Sequence, residues 1–491
     1  MTANYKMFID GAWCEASDGK RFQSLNPATE EVWASFPEAT AEDVDRAVKA
    51  AHRAYLEGPW SRMSATQRGK VLQKIAREIE SMVDTLAAAE TTDTGKLLRE
   101  TRWQTRNLVE VYDYYGGLAD KIEGQIPPMG PEGPLAMIVR EPLGVVAAIV
   151  PWNSQLHLAA FKIAPALAAG NTIVLKPSEE ASAAVTAFAE VIAKAGVPDG
   201  VFNVVTGSAN PCGQTLVSHP LVRRVAFTGG VETARKIIPA TAANIAEMSL
   251  ELGGKSPVVV YDDADLDSVV NGVTSAIFAA SGQSCAAGSR LLLQDGVYDE
   301  VLTRLVKRTK EIVIGDPTSE SVHMGPLATQ RQRDRIERLL AESEAAGARL
   351  VTGGGRAGHS KGWYFEPTIV ECDTQDFSIV RNELFGPVLS VIRFSTEEQA
   401  IALARDSEYA FAGGVFSKDF AKAYRTARAI PAGRFWINTY RVTSFMMPFG
   451  GAGLSGYGRE GGVHAIQDYT QAKAIFVNIS GAKVADPFVM R

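Results

Sequence analysis

The sequence predicts an α/β protein built around parallel β-sheets. From Val145 onward, short runs of β-branched residues alternate with helical segments, and Gly, Pro or Asn residues bound each run. This alternation is typical of βαβ units, whose strands pair in parallel to form a doubly wound sheet. A chain of 491 residues also exceeds the size of a single hydrophobic core, so two or three domains are expected.

The first elements predicted along the chain are helices. Residues 41–118 carry apolar residues at helical spacing, and Thr40 followed by Asp43 resembles the start of a capping box. A helix end is expected near Gly95. The Pro- and Gly-rich stretch at 123–134 interrupts the helical pattern, so a loop or an extended arm is expected there.

Strands and helices then alternate in two series. The first has strands at 145–150, 171–175, 202–205 and 223–227, with helices at 156–169 and 181–195. The second begins after Gly254, with strands at 257–261 and 290–294, helices at 264–280 and 301–313, and a late strand-like pair, VLSVIRF and GGVFSKD. Two G-x-G-x-x-G matches, at 353–358 and 456–461, are not expected to bind a dinucleotide, because neither follows a strand and opens a helix.

The composition excludes several functional classes. A formal charge of −6 leaves no basic footprint for nucleic acid. The four cysteines include no C-x-x-C pair and the six histidines no H-x-x-x-H pair, so neither a disulfide framework nor a metal site is expected. The first residues lack a signal peptide, and the apolar run at 145–150 is too short to cross a membrane. We therefore expect a cytoplasmic protein with no membrane partner.

Cys285 is the candidate nucleophile. A lone cysteine is commonly a buried small hydrophobe, but the segment SGQSCAAGSR surrounds this one with small residues that leave room for a ligand. If the following backbone amides point at the sulfur, they favour the thiolate and supply an oxyanion site. Cys14, Cys212 and Cys372 have no comparable setting and are expected to be structural.

Glu251 and Asn153 are candidate partners of this cysteine. Glu251 ends an apolar run before two glycines, either as a solvent-facing strand end or as a partly desolvated general base in a ligand cleft. Asn153 follows Pro151 and Trp152, either as a turn or helix-cap residue or as a hydrogen-bond donor to a developing oxyanion.

A further set of residues favours a nucleotide. Lys176 and Glu179 stand between a predicted strand and the next helix, where they are either surface charges or contacts to ribose hydroxyls. Gly229 and Gly230 form a turn between a strand and a helix, and such a turn presents amides to a diphosphate.

Together these segments resemble the NAD(P)-dependent aldehyde dehydrogenase superfamily over nearly the whole chain. Two positions depart from the family pattern, since Gly230 replaces a common Ser and Gly453 a common Lys. The matching blocks, in the family's order, are EPLGVVAAIVPWN (141–153), GNTIVLKPSE (170–179), FTGG (227–230), LELGGKSP (250–257), GQSCAAGSR (282–290), NELFGPV (382–388) and PFGGAGLSGYGRE (448–460).

The resemblance implies a role for each matched residue. It assigns Cys285 as nucleophile, Glu251 as general base and Asn153 as oxyanion donor. It implies NAD as the coenzyme, with weaker use of NADP, because a carboxylate at the adenosine ribose repels a 2′-phosphate. The implied coenzyme contacts are Trp152, Lys176, Glu179, Gly207, Gly229, Gly230, Glu383 and Phe385.

The resemblance also implies a domain organisation. A Rossmann-like coenzyme domain comprises residues 1–122 and 142–253, and an α/β catalytic domain comprises residues 254–453. A small β oligomerisation arm combines residues 123–141 with 454–491. The strand-like stretch at 472–480 would expose an edge, so a homodimer or homotetramer is expected.

The implied reaction is oxidation of a small-molecule aldehyde to the carboxylic acid. A thiohemiacetal on Cys285 gives a thioester, which water activated by Glu251 hydrolyses. Retention of Glu251 argues against transfer of the acyl group to coenzyme A. The remaining alternatives are a coenzyme-independent thiol esterase or hydrolase and a catalytically idle structural protein on the same fold.

One residue bears on the substrate. Residues 441–447 stand where the resemblance places a substrate-lining loop, which we call the substrate loop, and Arg441 begins it. This arginine is either a solvent-facing or structural residue, or a bidentate partner for a carboxylate on the substrate. The second interpretation predicts a preference for semialdehyde acids.

Overall fold

The computed structural model describes residues 2–130, 133–481, 483–484 and 486–489. The predicted arm, 123–141 with 454–491, includes residues 131, 132, 482, 485, 490 and 491, which lie outside the described residues. The division of the chain into domains at the predicted boundaries stays a prediction.

The described residues form four β-sheets from strands distributed along the whole chain. In chain order the strands are β1 (Ala3–Asn4), β2 (Met7–Ile9), β3 (Ala12–Cys14), β4 (Arg21–Leu25), β5 (Val32–Pro37), β6 (Leu135–Pro142), β7 (Val145–Val150), β8 (Thr172–Pro177), β9 (Phe202–Val204), β10 (Val222–Thr228), β11 (Glu247–Glu251), β12 (Pro257–Val260), β13 (Arg290–Gln294), β14 (Arg349–Thr352), β15 (Thr368–Glu371), β16 (Val388–Phe394), β17 (Ala412–Phe416), β18 (Arg434–Ile437), β19 (Gly456–Tyr457) and β20 (Thr470–Val477).

The helices precede, connect and cover these strands. In chain order they are α1 (Ala41–Leu56), α2 (Pro59–Arg62), α3 (Ala65–Thr94), α4 (Leu98–Leu118), α5 (Gln155–Ala169), α6 (Ala183–Lys194), α7 (Gln214–Ser218), α8 (Val231–Ala240), α9 (Leu266–Phe278), α10 (Tyr298–Lys310), α11 (Gln330–Ala345), α12 (Ser378–Arg381), α13 (Glu397–Arg405), α14 (Phe420–Ala429) and α15 (His464–Gln467).

The first large sheet has the strand order β19-β11-β10-β7-β8-β9-β2-β3. Strands β11, β10, β7, β8 and β9 are parallel, and the edge strands pair antiparallel. Alternate residues of β7 point to opposite faces: Val145 and Ala147 pack with α1, α7 and α8, while Val146 and Ala148 pack with α3 to α6. Helices therefore cover both faces, as the predicted doubly wound fold requires.

The second large sheet has the order β14-β15-β16-β13-β12-β17-β18. All its pairs are parallel except the edge pair β14 and β15. Its strands are buried on both faces: Val258 packs toward α9 and α10, whereas Val259 packs toward α11, α13 and α14. The predicted α/β class with mainly parallel sheets is confirmed for both halves of the chain.

The helix signals in the sequence have physical counterparts. Thr40 accepts a hydrogen bond from the Asp43 amide, and the Asp43 carboxylate accepts one from the Thr40 amide, so the capping box is present. Helix α3 ends at Gly95, whose φ of +74° is the left-handed conformation of a helix C-cap. The stretch predicted as helical, 41–118, is broken into four helices.

The structure corrects the sequence prediction in two places. Five strands precede α1, and none was predicted because each has only two to six residues and offers little periodicity. The motif at 353–358 directly follows β14, contrary to expectation, but no helix begins there. It therefore still lacks the strand-to-helix context of a dinucleotide site.

A separate two-stranded sheet joins distant parts of the chain. Strand β20 pairs antiparallel with β6 along its whole length, from Thr470 opposite Pro142 to Val477 opposite Leu135. The side chain of Phe476 on β20 is 63% exposed. Among the described residues, no helix is long and apolar enough to cross a membrane.

Candidate active site

The candidate site lies where loops of the two large sheets meet. Asn153, which follows β7, donates a hydrogen bond from Nδ2 to the Gln283 carbonyl oxygen at 2.9 Å. The Gly254 amide, which precedes β12, donates to Oε1 of Glu383 at 2.9 Å. A Cβ placed on Gly254 would lie 2.5 Å from the Cys285 carbonyl oxygen, so only glycine permits this approach. These contacts bring the predicted catalytic residues into one place.

A strained turn presents Cys285. Helix α9 ends at Phe278, and Ala280 and Ser281 then adopt left-handed backbone conformations with φ of 53° and 54°. A Cβ on Gly282 would lie 2.2 Å from the Gly386 carbonyl oxygen, so the turn packs directly against the loop that precedes β16. Backbone strain of this kind persists only where the surrounding structure enforces it. Cys285 emerges half-buried from this turn.

The surroundings of Cys285 favour the protonated thiol over the thiolate. Burial raises its pKa strongly, and the Glu251 and Glu383 carboxyl groups raise it further. Arg441 and Arg434 lower it by a smaller amount. The sequence had favoured a thiolate, but here desolvation and two nearby carboxyl groups outweigh the arginines. A base must therefore remove the thiol proton before the sulfur attacks.

Glu251 ends β11 with a buried side chain that is 1% exposed. Neither carboxyl oxygen has a hydrogen-bond partner among the described residues. A Cβ on Gly450, whose φ is +148°, would lie 2.5 Å from Oε1, so this glycine keeps space open beside the carboxyl group. Burial raises the pKa of Glu251 well above its ordinary value, and the Glu460 carboxylate raises it further. The structure supports the desolvated carboxyl group and not the solvent-facing strand end.

A buried ion pair lies beside Glu251. Lys162 on α5 donates from Nζ to the Thr228 hydroxyl at 2.6 Å and forms an ion pair with Glu460. Thr228 is the β10 residue directly paired with Glu251. The Lys162 charge lowers the pKa of Glu251, opposing the effect of Glu460. Sequence reasoning missed this pair, although a single lysine within the apolar helix QLHLAAFKIAPALAA was a usable signal.

Asn153 has the geometry expected of an oxyanion donor. It does not cap a helix, since Ser154 occupies the cap position and α5 begins at Gln155. Its side chain is buried, and one of its two amide hydrogens is bound to the Gln283 carbonyl. The second amide hydrogen has no partner in the part of the chain that the structure describes.

Two of the expected coenzyme residues, Glu383 and Phe385, lie in the loop whose Gly386 packs against the Cys285 turn. Burial raises the pKa of Glu383 to about 7, although the Gly254 amide and Arg335 oppose the shift. Phe385 adopts a φ of +56°, and its carbonyl accepts a hydrogen bond from Gln332 at 3.0 Å. Its ring packs edge-to-face on Trp152 at a centroid distance of 5.2 Å. These residues form one surface next to the thiol.

The other expected coenzyme residues lie along the first sheet. Strand β8 extends to Pro177, so Lys176 lies inside the strand and not after it. Its Nζ lies 3.6 Å from Oε2 of the exposed Glu179. Glu179 was expected where the next helix begins, but it lies in a turn, because α6 begins only at Ala183. Gly207 directly precedes the loop whose Gly213 approaches Lys176.

Gly229 and Gly230 lie between β10 and α8. The Gly229 amide donates to the Glu251 carbonyl oxygen at 3.1 Å and so extends the pairing of β10 with β11. Gly230 caps α8, and a Cβ placed on it would meet no atom within 4 Å. The first turn of α8 therefore faces open space, as an anion-binding helix N-terminus requires.

Comparison with known proteins agrees with this geometry. The sequence profile described as "Aldehyde dehydrogenase family" matches residues 13–475. The chain belongs to the aldehyde dehydrogenase family.

Two curated relatives span almost the whole of this aldehyde dehydrogenase. It is 50% identical over 489 residues, 99% of each chain, to (Z)-2-((N-methylformamido)methylene)-5-hydroxybutyrolactone dehydrogenase of Acinetobacter baylyi. It is 41% identical over 481 residues, 97% of this chain and 98% of the relative, to betaine aldehyde dehydrogenase of Bacillus subtilis.

A solved structure shows the same architecture. The crystal structure of betaine aldehyde dehydrogenase from Staphylococcus aureus in complex with NAD⁺ superposes with a TM-score of 0.96 at 37% identity, covering 99% of this chain and 97% of that chain. The predicted superfamily, fold and aldehyde-oxidising activity are confirmed. Neither a thiol hydrolase nor an idle structural protein is favoured.

Arg434 is a second residue that the sequence did not reveal as part of the site. It begins β18 and is half-buried, and burial lowers the pKa of its guanidinium. Its charge acts on both Cys285 and Glu251. The strand segment RFWI carries no motif that marks this arginine as different from a surface residue.

The raised pKa of Cys285 predicts a pH-dependent alkylation rate. In protein purified without coenzyme, iodoacetamide should modify Cys285 slowly at neutral pH. The rate should rise continuously above about pH 9, because the protonated thiol does not react. Peptide mass spectrometry over a pH series measures this rate, with glutathione as the reference thiol and Cys285→Ser as the control. A rate that reaches its plateau near neutral pH would show that the site holds a thiolate.

Proposed function

We propose that Cys285 is the nucleophile with which this NAD-dependent aldehyde dehydrogenase oxidises an aldehyde to the carboxylic acid. The observation that carries the proposal is the convergence of three groups on one small space. These are the half-buried Cys285 thiol, the buried Glu251 carboxyl group without hydrogen-bond partners, and the free amide hydrogen of Asn153. A nucleophile, a base and an oxyanion donor are the parts that acyl transfer needs.

The residues beside this space fit a nicotinamide dinucleotide. The open N-terminus of α8 suits a diphosphate, and Lys176 with Glu179 suits the adenosine ribose. Glu383 and Phe385, next to Cys285, suit the nicotinamide ribose and ring. A relative of the same fold holds NAD⁺. When bound, the coenzyme supplies the hydride acceptor for the oxidation.

The first chemical half-reaction begins with removal of the thiol proton. The proton passes to a water molecule, because the half-buried thiol keeps access to solvent. The sulfur then forms a bond to the aldehyde carbon, and the carbonyl oxygen becomes an oxyanion. Asn153 Nδ2 and the Cys285 backbone amide donate to this oxyanion. Loss of a hydride from the carbon leaves a thioester on Cys285.

The second half-reaction is hydrolysis of that thioester. Glu251 accepts a proton from a water molecule, whose oxygen attacks the acyl carbon. The carbon–sulfur bond then breaks, the sulfur takes the proton back from Glu251, and the acid is released. Because the folded protein raises the pKa of Glu251, its base form is populated only as the pH rises through that higher value. Hydrolysis should therefore accelerate with pH.

The names of the relatives indicate substrates of different charge. Betaine aldehyde carries a quaternary ammonium group and is a cation. A 5-hydroxybutyrolactone is the ring-closed form of a 4-oxo acid, which opens to an aldehyde and a carboxylate. This chain is similar to both kinds of relative over nearly its whole length, so family membership alone does not set the charge of its substrate.

We also propose that the chain forms a homodimer or homotetramer in the cytoplasm through the sheet of β6 and β20. This arm carries exposed apolar side chains, Phe476 and Ile479, and strand edges that pairing with another copy would satisfy. The four cysteines are free thiols, the state that a reducing compartment maintains.

The roles of Cys285 and Glu251 predict distinct kinetic defects. Mixing Glu251→Gln with aldehyde and NAD should give a burst of NADH and then a slow phase. NADH forms during acylation, which does not need Glu251, whereas hydrolysis of the thioester loses its base. Stopped-flow absorbance measures both phases, and the slow phase should lose the pH dependence of the wild-type rate.

Two further variants serve as controls. Cys285→Ala should show no burst and no turnover, whereas Cys372→Ala should retain both, because Cys372 packs in a hydrophobic core of the second sheet and has no proposed chemical role. If Glu251→Gln turns over at the wild-type rate, Glu251 is not the hydrolytic base. Ester hydrolysis by the wild type without any NADH from aldehydes would instead favour a thiol hydrolase.

Glu179 predicts a preference for NAD over NADP. A carboxylate near the adenosine ribose accepts hydrogen bonds from its hydroxyls and repels a 2′-phosphate, at a cost of roughly tenfold to a hundredfold in affinity. Glu179→Ser should therefore lower kcat/KM with NAD and raise it with NADP. A wild-type preference for NADP would contradict the proposed position of this side chain.

The proposed arm predicts a change in oligomeric state. Phe476→Asp places a charge on the exposed face of β20 and should yield a smaller species than the wild type in light scattering. Phe420→Asp is the matched control, since Phe420 is also exposed but lies on α14, outside the arm. An unchanged mass for Phe476→Asp would exclude this face from the interface.

A further inference from the structure

Two arginines face the candidate site without an anionic partner. Arg434 and Arg441 are both half-buried, and both lower the pKa of Cys285 by their charge. Neither forms an ion pair with a carboxylate anywhere in the described residues. The mechanism proposed above uses neither residue.

Arg434 lies on the side of the site that contains Glu251. Its guanidinium carbon lies 4.9 Å from the centroid of the Phe449 ring, a cation–π distance. The next residue, Gly450, is the glycine that keeps space open beside the Glu251 carboxyl group. The one hydrogen bond formed by the Arg434 guanidinium within the described residues is a long contact of 3.4 Å to the Pro448 carbonyl oxygen. Most of its N–H groups therefore remain available.

Arg441 lies on the side of the site that contains Cys285. It is the first residue of the substrate loop, and its φ of +62° is a left-handed backbone conformation that sets the direction of its side chain. Its Nη1 donates to the Ala279 carbonyl oxygen at 3.1 Å, in the turn that leads to Cys285. The preceding Tyr440 donates from its hydroxyl to the Ala286 carbonyl oxygen at 3.1 Å. Both contacts hold the start of the substrate loop against the segment that contains Cys285.

Other half-buried arginines also lack a carboxylate partner, but Arg68, Arg335 and Arg459 each donate to two backbone carbonyl oxygens. Arg434 differs from them because its guanidinium makes a single long hydrogen bond. Arg434 and Arg441 are also the arginines whose charges act on Cys285. A half-buried cation without an anion is unfavourable, because it loses hydration without compensation. Two such cations at one site indicate that the compensating anion comes with the ligand.

We infer that the aldehyde carries a carboxylate, which Arg434 and Arg441 bind while the aldehyde group reaches Cys285. Guanidinium groups match the geometry of a carboxylate and bind it with charge-assisted hydrogen bonds. The same two charges repel a cationic aldehyde such as betaine aldehyde. The inference rests on the proposed function and narrows it to semialdehyde acids.

The experiment compares three aldehydes of different charge. They are 4-oxobutanoate as the anion, butanal as the neutral analogue of the same carbon number, and betaine aldehyde as the cation. The enzyme is the full-length wild type with NAD, and NADH absorbance gives kcat/KM for each. We expect 4-oxobutanoate to exceed butanal by about tenfold or more, and betaine aldehyde to be the poorest of the three.

Variants then test the two arginines. Arg434→Gln and Arg441→Gln should each lower the ratio of kcat/KM for 4-oxobutanoate to that for butanal by about tenfold, mainly through a higher KM. The lysine variants keep the charge and should retain part of the ratio. Arg223→Gln is the control, because Arg223 is exposed and bonds only the Pro220 carbonyl oxygen among the described residues. Circular dichroism verifies the fold of each variant.

The outcomes separate this inference from the proposed function. If the wild type oxidises butanal as well as 4-oxobutanoate, or if the glutamine variants slow all three aldehydes equally, the arginines act on Cys285 alone and the inference is overturned. Both of these outcomes leave the proposed function, aldehyde oxidation with NAD, intact. If no aldehyde yields NADH with NAD, the proposed function fails.

Discussion

Close backbone contact around the turn that leads to Cys285 is the constraint on which the site depends. Gly254 and Gly282 have no Cβ, so one packs against the Cys285 carbonyl and the other against the Gly386 carbonyl. A side chain at either position would displace this turn. Asn153, which follows a strand of the first sheet, donates to Gln283 in the same turn, so the position of the turn also sets where Cys285 lies relative to that sheet.

This packing also determines the charge state of the site. The same close contacts that assemble the site bury Cys285 and Glu251, and burial favours the neutral form of both groups. The surroundings therefore favour a thiol and a neutral carboxyl group, and charges placed outside this pair adjust the two pKa values. Lys162 and Glu460 act on the pKa of Glu251 with opposite signs. The proposed chemistry thus begins from a thiol and not from a permanent thiolate.

The sequence predicted the parallel sheets and the candidate catalytic residues for different reasons. The strands of the first series are continuous apolar runs because both faces are buried, and that pattern is visible in one dimension. Cys285, Glu251 and Asn153 lie in short motifs that are specific to one family. Arg434 and Lys162 escaped prediction because their importance comes from contacts that only the folded chain creates, such as the ion pair of Lys162 with Glu460. The turn at Glu179 was misplaced because the pattern does not locate helix starts to within a few residues.

The edge position of β19 has a consequence for synthesis of the protein on the ribosome. This strand pairs with β11, with Gly456 opposite Glu251, so the first sheet is completed only by a segment that follows the whole second sheet in chain order. The nearby Tyr469 carbonyl also accepts a hydrogen bond from Asn171 at 2.8 Å. A nascent chain can thus arrange most of the first sheet early, yet β11 keeps an unpaired edge until the strands of the second sheet have been synthesised. Such long-range closure slows folding, and it delays the final surroundings of the Glu251 side chain until after the second sheet exists.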